Sequence, residues 1–109
     1  MKITARKATL HDIPVLVELM REFYAEANYT LNKQWACASF SALLKDDSLG
    51  VAWIIVQDAN PAGYVVLTTR FSMEYGGLDG YIDDLFIRPA YRGQGLGREA
   101  LRVLFEECD

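Results

Sequence analysis

The 109-residue sequence has few of the residues that build metal sites, and it has no long apolar run. It contains one histidine, His11, and two cysteines, Cys37 and Cys108, which are far apart and lack Cys-x-x-Cys spacing. This set is too small and scattered for a zinc site, so we expect no metal and two reduced thiols. No apolar stretch approaches the roughly 18 residues that a membrane-spanning helix requires.

Positive charge is also scarce. Eleven Lys and Arg residues against 15 Asp and Glu residues give a formal charge of −4, and no basic run occurs. Such a chain is a poor candidate for binding nucleic acid or an anionic membrane, and it suits a cationic ligand better. Residues 1–6 contain no apolar signal-peptide core, so we expect a cytoplasmic protein.

The length suits one small domain, and apolar residues recur along the whole chain as they do in packed proteins. Hydrophobic periodicity predicts a first strand over residues 3–8, a helix over residues 13–27 and a shorter helix over residues 35–44. Thr9 and Asp12 resemble a capping box before the first helix.

Three later runs are rich in β-branched and aromatic residues and predict strands over residues 51–56, 64–71 and 81–87. The stretches that separate them, residues 58–63 and 74–80, are rich in turn residues. Because a parallel crossover needs a dozen residues or more, these strands should form an antiparallel meander. The predicted fold class is therefore α+β, or mixed α/β.

The most informative segment follows the last of these strands. Three alternating glycines, Gly93, Gly95 and Gly97, lead into a predicted helix over residues 97–108. Glycine allows unusual backbone angles and lets a ligand approach the main chain without meeting a Cβ atom. The first amides of a helix lack internal acceptors and lie at its positive end. The segment therefore predicts an anion site suited to a pyrophosphate, with Arg92 and Arg98 adding charge beside it.

Two common phosphate motifs do not match. A P-loop has Lys-Ser/Thr after its last glycine, where this chain has Arg98 and Glu99. A dinucleotide fingerprint has G-x-G-x-x-G and an acidic residue about 20 positions further on, whereas here the spacing is G-x-G-x-G and 12 residues follow Gly97. A glycine-rich helix start without any ligand stays open as an alternative.

The segment Arg92-Gly93-Gln94-Gly95-Leu96-Gly97 resembles the Q/R-x-x-G-x-G/A signature of the Gcn5-related N-acetyltransferases, or GNAT family. The strand that ends in Arg88-Pro89 and the upstream order of elements resemble the family too, so the likeness covers essentially the whole chain. It implies a GNAT-like acyl-CoA N-acyltransferase fold and transfer of acetyl from acetyl-CoA to a primary amine of a small molecule or peptide. The acidic pair beginning at Asp83 also resembles the polyamine and diamine acetyltransferases.

The resemblance assigns roles to particular residues. Main-chain amides in the glycine segment, together with one arginine, would hold the coenzyme A pyrophosphate; these residues are Arg92, Gly93, Gln94, Gly95, Leu96, Gly97 and Arg98. Backbone groups of Leu85, Phe86 and Ile87 would bind the pantetheine arm as an added strand does, and one amide would polarise the thioester carbonyl. Tyr24 and Glu26 would line the substrate site.

Acetyl transfer to an amine needs a proton acceptor, because an amine with a pKa near 10.4 is mostly protonated at neutral pH. Asp83 matches the acidic residue proposed as base in the polyamine-like relatives, so it is the predicted catalytic base; a substrate-orienting or solvated carboxylate is the alternative. Strand side chains alternate, so Asp84 is expected on the opposite sheet face, which argues against the paired carboxylates of a glycosidase. Neither cysteine is near the glycine segment, so we expect direct transfer without a covalent enzyme intermediate.

The chain departs from the family pattern after the last helix. A usual member continues with further strands and another helix, whereas Asp109 is the last residue here, and no tyrosine after Tyr91 can match the usual thiolate acid. We therefore expect residues 1–109 to form a single partial N-acetyltransferase domain that lacks the usual C-terminal strands. The open edge of the last strand favours a homodimer. A non-catalytic module that binds coenzyme A or only dimerises is the alternative function.

Overall fold

The computed structural model describes residues 3–72 and 77–93, together with residues 95, 98 and 102. These residues form two helices packed on one face of an antiparallel sheet. In chain order the elements are β1 (Ile3–Lys7), α1 (Ile13–Glu26), α2 (Lys33–Lys45), β2 (Gly50–Gln57), β3 (Asn60–Ser72) and β4 (Gly77–Ile87). A short 3-10 turn at Leu10–Asp12 precedes α1, and a second one at Pro89–Tyr91 follows β4. The α+β class and the predicted order of elements up to β4 are confirmed.

The predicted final helix lies outside the described residues except at two positions. Arg98 and Arg102 are both helical. No helix in the described part of the chain is long and apolar enough to cross a membrane.

The predicted capping box of Thr9 and Asp12 is present at the 3-10 turn that leads into α1. The Asp12 carboxylate accepts a hydrogen bond from the Thr9 amide at 2.8 Å. It also accepts two from the Arg6 guanidinium of β1, each at 2.8 Å. These hydrogen bonds lower the pKa of Asp12 from 3.8 to about 2, with that from Arg6 as the largest cause. The cap therefore joins the first helix to the first strand.

The sheet has the order β1-β2-β3-β4, and each neighbouring pair is antiparallel. A two-residue turn joins β2 to β3, with positive φ at both Asp58 and Ala59. This turn geometry matches the twist of the strands, so pairing continues to Asn60 instead of ending at a loop over residues 58–63. Pro61 is tolerated inside β3 because it lies beside a register shift.

Apolar residues pack on both faces of the sheet. On the face toward α1 and α2 the buried strand residues are Ala52, Ile54, Tyr64, Val66 and Phe86. They pack against helix residues that share one face of α1 or α2, among them Leu16, Leu19, Met20, Ala36 and Phe40. On the other face a smaller cluster contains Trp53, Ile55, Ala62 and Val65.

Candidate active site

A β-bulge in β4 determines where its two adjacent carboxylates lie. Val66 of β3 pairs with Asp84, whereas Leu67 pairs with Ile82, so Asp83 is an extra residue without a partner on β3. A bulge interrupts the alternation of side chains along a strand. Asp83 and Asp84 both line one cavity between the sheet and the helices. The expectation that they point to opposite faces is therefore wrong, because it assumed regular pairing.

Asp84 is the more enclosed of the two carboxylates. It is half-buried and accepts a hydrogen bond at 3.1 Å from the hydroxyl of Tyr64, which is itself fully buried. Burial raises the pKa of Asp84, the Tyr64 hydroxyl partly opposes this, and the negative charge of Asp83 raises it further. Asp83, the predicted base, is exposed. The bulge thus presents one solvated and one desolvated carboxylate.

Tyr64 and Tyr24 lie near Asp84 on the helix side of the sheet. Tyr24, predicted to line the substrate site, contributes to the cavity together with both carboxylates. Burial raises the pKa of the Tyr24 hydroxyl, and the charges of Asp84 and Asp83 raise it further, so Tyr24 is a neutral hydroxyl donor. Phe23, Tyr64 and Phe86 make mutual ring contacts with centroids 5.4–6.4 Å apart. This packing holds the Tyr64 hydroxyl against the carboxylate.

The cavity has a volume of about 550 Å³ and continues from the carboxylates to α2. Met20 of α1 and Val66 of β3 form part of its inner surface. Residues of α2 and of the α2–β2 connection also line it; they are Trp35, Ser39, Phe40, Ala42, Leu43 and Leu49. This volume lies within the range of about 300–1,000 Å³ that is usual for small-ligand pockets.

Two arginines after β4 fasten the end of this strand to α1. The Arg88 guanidinium donates to both carboxylate oxygens of Glu22, at 3.1 and 2.9 Å, and to the Pro61 carbonyl at 3.1 Å. The Arg88 amide donates to the Ala62 carbonyl at 2.8 Å. Sequence reasoning missed Glu22, because a pair 66 positions apart leaves no local pattern.

Arg92, the first residue of the glycine segment, makes the second connection. Its guanidinium donates to Glu26 at 2.8 and 2.6 Å and to the Ile87 carbonyl at 2.9 Å, and it lies 5.7 Å from the centroid of the Phe86 ring. Glu26 thus pairs with Arg92 and is not among the described residues that line the cavity.

The described part of the glycine segment has the predicted conformation. Gly93 and Gly95 have φ values of 82° and 78°, which favour glycine strongly. No atom of the described residues lies within 4 Å of the position that a Cβ would occupy at either glycine. Arg98 is exposed. Gln94, Leu96 and Gly97, also predicted to bind the coenzyme, lie outside the described residues.

The predicted pantetheine-binding residues occupy the end of β4. Leu85, Phe86 and Ile87 pair with Val65, Tyr64 and Gly63 of β3. Since β4 is one of the two outer strands of the described sheet, part of its backbone faces away from β3 and is available to an added strand. Phe86 points into the helix-side core, and the side chains of Leu85 and Ile87 pack on the opposite face.

A family model described as the Acetyltransferase (GNAT) family matches residues 13–109, most of the chain. The chain belongs to the GNAT family of acetyltransferases. The match includes α1, the carboxylates of β4 and the glycine segment, so the resemblance inferred from residues 92–97 is confirmed at the level of the family.

Solved structures agree with this assignment of the GNAT fold. An integron cassette protein, HFX_CASS3, from the mobile metagenome of Cole Harbour Salt Marsh is 49% identical with a TM-score of 0.92, over 95% of this chain and 68% of that one. A possible acetyltransferase from Clostridium difficile 630 is 18% identical with a TM-score of 0.86, over 100% of this chain and 72% of that one.

A third solved structure is described as a predicted acetyltransferase with acetyl-CoA from Clostridium acetobutylicum. It is 22% identical with a TM-score of 0.80, over 97% of this chain and 73% of that one. Because the two clostridial proteins are only 18% and 22% identical to this chain, their likeness to it concerns the fold alone. No curated protein matches the chain significantly.

Proposed function

We propose that this GNAT chain transfers acetyl from acetyl-CoA to a primary amine bound in the cavity beside Asp83 and Asp84. The observation that carries the proposal is the bulge in β4, which brings both carboxylates to one cavity. The same strand leads directly to the glycine segment. A cationic amine would be attracted to the carboxylates, and family membership supports acetyl transfer.

The residues around the glycine segment fit a coenzyme A pyrophosphate. Gly93 and Gly95 leave the main chain open where a Cβ would otherwise stand, and Arg98 adds a positive side chain. Amides from Arg92 to Gly97 would hold the phosphates, and backbone groups of Leu85, Phe86 and Ile87 would pair with the pantetheine arm. When bound, acetyl-CoA supplies the acetyl group as an activated thioester.

The carboxylates would remove the proton that keeps the amine from attacking. Asp83 is the base predicted from the sequence, but the surroundings of Asp84 favour Asp84 for this role, because a carboxylate with a raised pKa takes a proton more readily. The Tyr64 hydroxyl would hold the Asp84 carboxylate in place, and Tyr24 would orient the amine. The amine would attack the thioester directly, without a covalent enzyme intermediate.

The experiment is a titration with acetyl-CoA, followed by an amine panel with free thiol as the readout. The panel includes polyamines, in view of the resemblance to their acetyltransferases. Saturable coenzyme binding and amine-dependent thiol release are expected. Binding without thiol release for any amine would favour a non-catalytic module, and no binding at millimolar coenzyme would refute the proposal.

The proposal extends to a homodimer in the cytoplasm. Within the described sheet β4 is an outer strand, and an outer strand can pair with a second copy. Sedimentation velocity over a range of protein concentrations is expected to show a dimer. A single monomeric species at all concentrations would contradict the proposed dimer and would not affect the proposed acetyl transfer.

A further inference from the structure

The cavity beside the carboxylates has a chemically divided lining. Its only charged side chains among the described residues are Asp83 and Asp84, both on β4. On the α2 side the lining is mainly apolar or aromatic, with Trp35, Phe40 and Leu43 as the largest contributors. A ligand that fits this lining carries one positive charge at one end and an apolar body at the other.

Trp35 contributes an exposed aromatic surface to the apolar side of the cavity. It is 55% exposed although it is a large aromatic side chain, and it lies at the open side of the cavity. Phe40, five residues further along α2, is 3% exposed and also lines the cavity. A ring or alkyl chain that lies against the α2 side of the cavity would bury its own apolar surface and part of that of Trp35.

The described lining carries negative charge at its β4 end alone. The two carboxylates are adjacent in sequence and line the same cavity, so an extended diamine held there by one ammonium and reaching along the cavity to α2 would bring its other ammonium against an apolar lining that includes Phe40 and Leu43. No acidic side chain of the described lining is available there. Moving an ammonium out of water without a partner is unfavourable, whereas an apolar group at that position is stabilised.

We infer that the acceptor of this chain is a hydrophobic monoamine, an aliphatic ammonium attached to an aromatic ring or a short alkyl chain, and not a polyamine. The inference rests on the proposed acetyl transfer and narrows its substrate class. The ammonium lies at Asp83 and Asp84, and the apolar body lies along Trp35 and Phe40.

The test is calorimetric titration of the whole chain with 2-phenylethylamine and with 1,4-diaminobutane, each with and without saturating coenzyme A. We expect 2-phenylethylamine to bind at least about tenfold more tightly, because its ring replaces water at an apolar surface. Equal or tighter binding of the diamine, or no binding of either amine, would overturn the inference.

Trp35 and Tyr29 provide a matched pair of variants. Both are exposed aromatic residues, Trp35 in the first turn of α2 and Tyr29 in the connection between α1 and α2. Tyr29 does not line the cavity; it lines a neighbouring depression with Phe23, Ala27 and Tyr24, and Tyr24 is the one residue that the two share. Trp35→Ala is expected to weaken 2-phenylethylamine binding about three- to tenfold and to leave diamine binding nearly unchanged. Tyr29→Ala is expected to change neither. Equal effects of the two variants would contradict the placement of the ring.

Thiol release separates the failure of this inference from the failure of the proposed function. If acetyl-CoA is consumed with the diamine as the better acceptor, the acetyltransferase assignment stands and the substrate class is wrong. If 2-phenylethylamine binds as expected but no amine releases thiol, the cavity assignment stands and the proposed reaction is wrong.

Discussion

At the scale of single residues, Asp84 combines burial, a fixed hydrogen-bond donor and a neighbouring negative charge. Each is observed separately: the side chain is half-buried, Tyr64 donates to it, and Asp83 precedes it in the same bulge. Burial is the largest cause of its raised pKa. A raised pKa makes the ionised carboxylate a stronger proton acceptor than an ordinary aspartate, which is the property required of a general base.

Asp84→Asn should lower kcat by about 10²- to 10³-fold, because it removes the proposed proton acceptor. An asparagine oxygen can still accept from Tyr64, so stability should change little. In the wild type the rate should fall as pH decreases through the raised pKa of Asp84. The variant should lack that step and recover part of its rate at high pH, where more amine is unprotonated. A pH profile of thiol release measures this.

Asp83→Asn is the matched comparison, since it removes the neighbouring charge and leaves the buried carboxylate. It should raise the KM for the amine several-fold with a smaller effect on kcat. If Asp83→Asn abolishes turnover and Asp84→Asn does not, the base is the residue that the sequence predicted.

Gly95→Val should abolish or strongly weaken coenzyme binding while leaving the fold intact. A valine at a φ of 78° is strained and would project a side chain from an open stretch of main chain. The control is Gly50→Val, because a Cβ at Gly50 would lie 2.1 Å from the Leu67 carbonyl oxygen inside the sheet. That variant should unfold. Equal losses of stability in the two variants would contradict the coenzyme role of Gly95.

At the scale of elements, α1 is joined to the end of β4 by two ion pairs of unequal exposure. The Glu22–Arg88 side chains are 26% and 30% exposed, and the Glu26–Arg92 side chains are 38% and 47% exposed. Together they hold the helix that carries Tyr24 against the strand that carries Asp84. The same connections fix the residue at which the glycine segment begins.

Glu22→Gln should lower the free energy of unfolding by about 1–2 kcal/mol, because Arg88 would keep its charge in a half-buried site. Glu26→Gln should cost less than about 1 kcal/mol, as exposed pairs do. Urea unfolding at two salt concentrations measures both losses. A larger loss for Glu26→Gln would contradict this ranking. Because Glu26 does not line the cavity, its variant should leave the KM for the amine unchanged.

The Asp12 cap gives a pH-dependent contribution to stability. Its folded pKa, about 2, lies below the ordinary 3.8, so the contribution is fully present above pH 4 and is lost as pH falls toward 2. Asp12→Asn should lower the unfolding free energy by about 1–2 kcal/mol at pH 7. The gap between wild type and variant should narrow between pH 4 and pH 2. A gap independent of pH would show that the Arg6–Asp12 pair is unimportant.

At the scale of the whole molecule, the order of elements and the family could be predicted from the sequence. Apolar spacing indicates α1 and α2, and the glycine segment indicates the family. The start of β4 could not be placed, because Gly77 and Gly80 are typical of turns and only pairing with β3 makes them part of a strand. Residues 58–63 were likewise predicted as one loop because they are rich in turn residues, whereas pairing with β2 shortens the turn to Asp58 and Ala59.

The candidate site was predicted in part. Asp83 and Tyr24 do line one cavity, because their positions follow from the family pattern. The position of Asp84 in the cavity could not be predicted, since a bulge depends on the register with β3 and leaves no trace in the local sequence. Glu26, predicted to line the substrate site, pairs with Arg92, and this contact between distant segments appears only in the folded chain.

The account predicts an amide product, and product analysis tests this most directly. The chain would be saturated with acetyl-CoA and mixed with 2-phenylethylamine, and both free thiol and the N-acetylated amine would be quantified, the latter by mass spectrometry. The prediction is one amide formed for each thiol released, with both depending on Asp84. Thiol release without amide, or no consumption of acetyl-CoA with any amine, would contradict the proposed acetyl transfer.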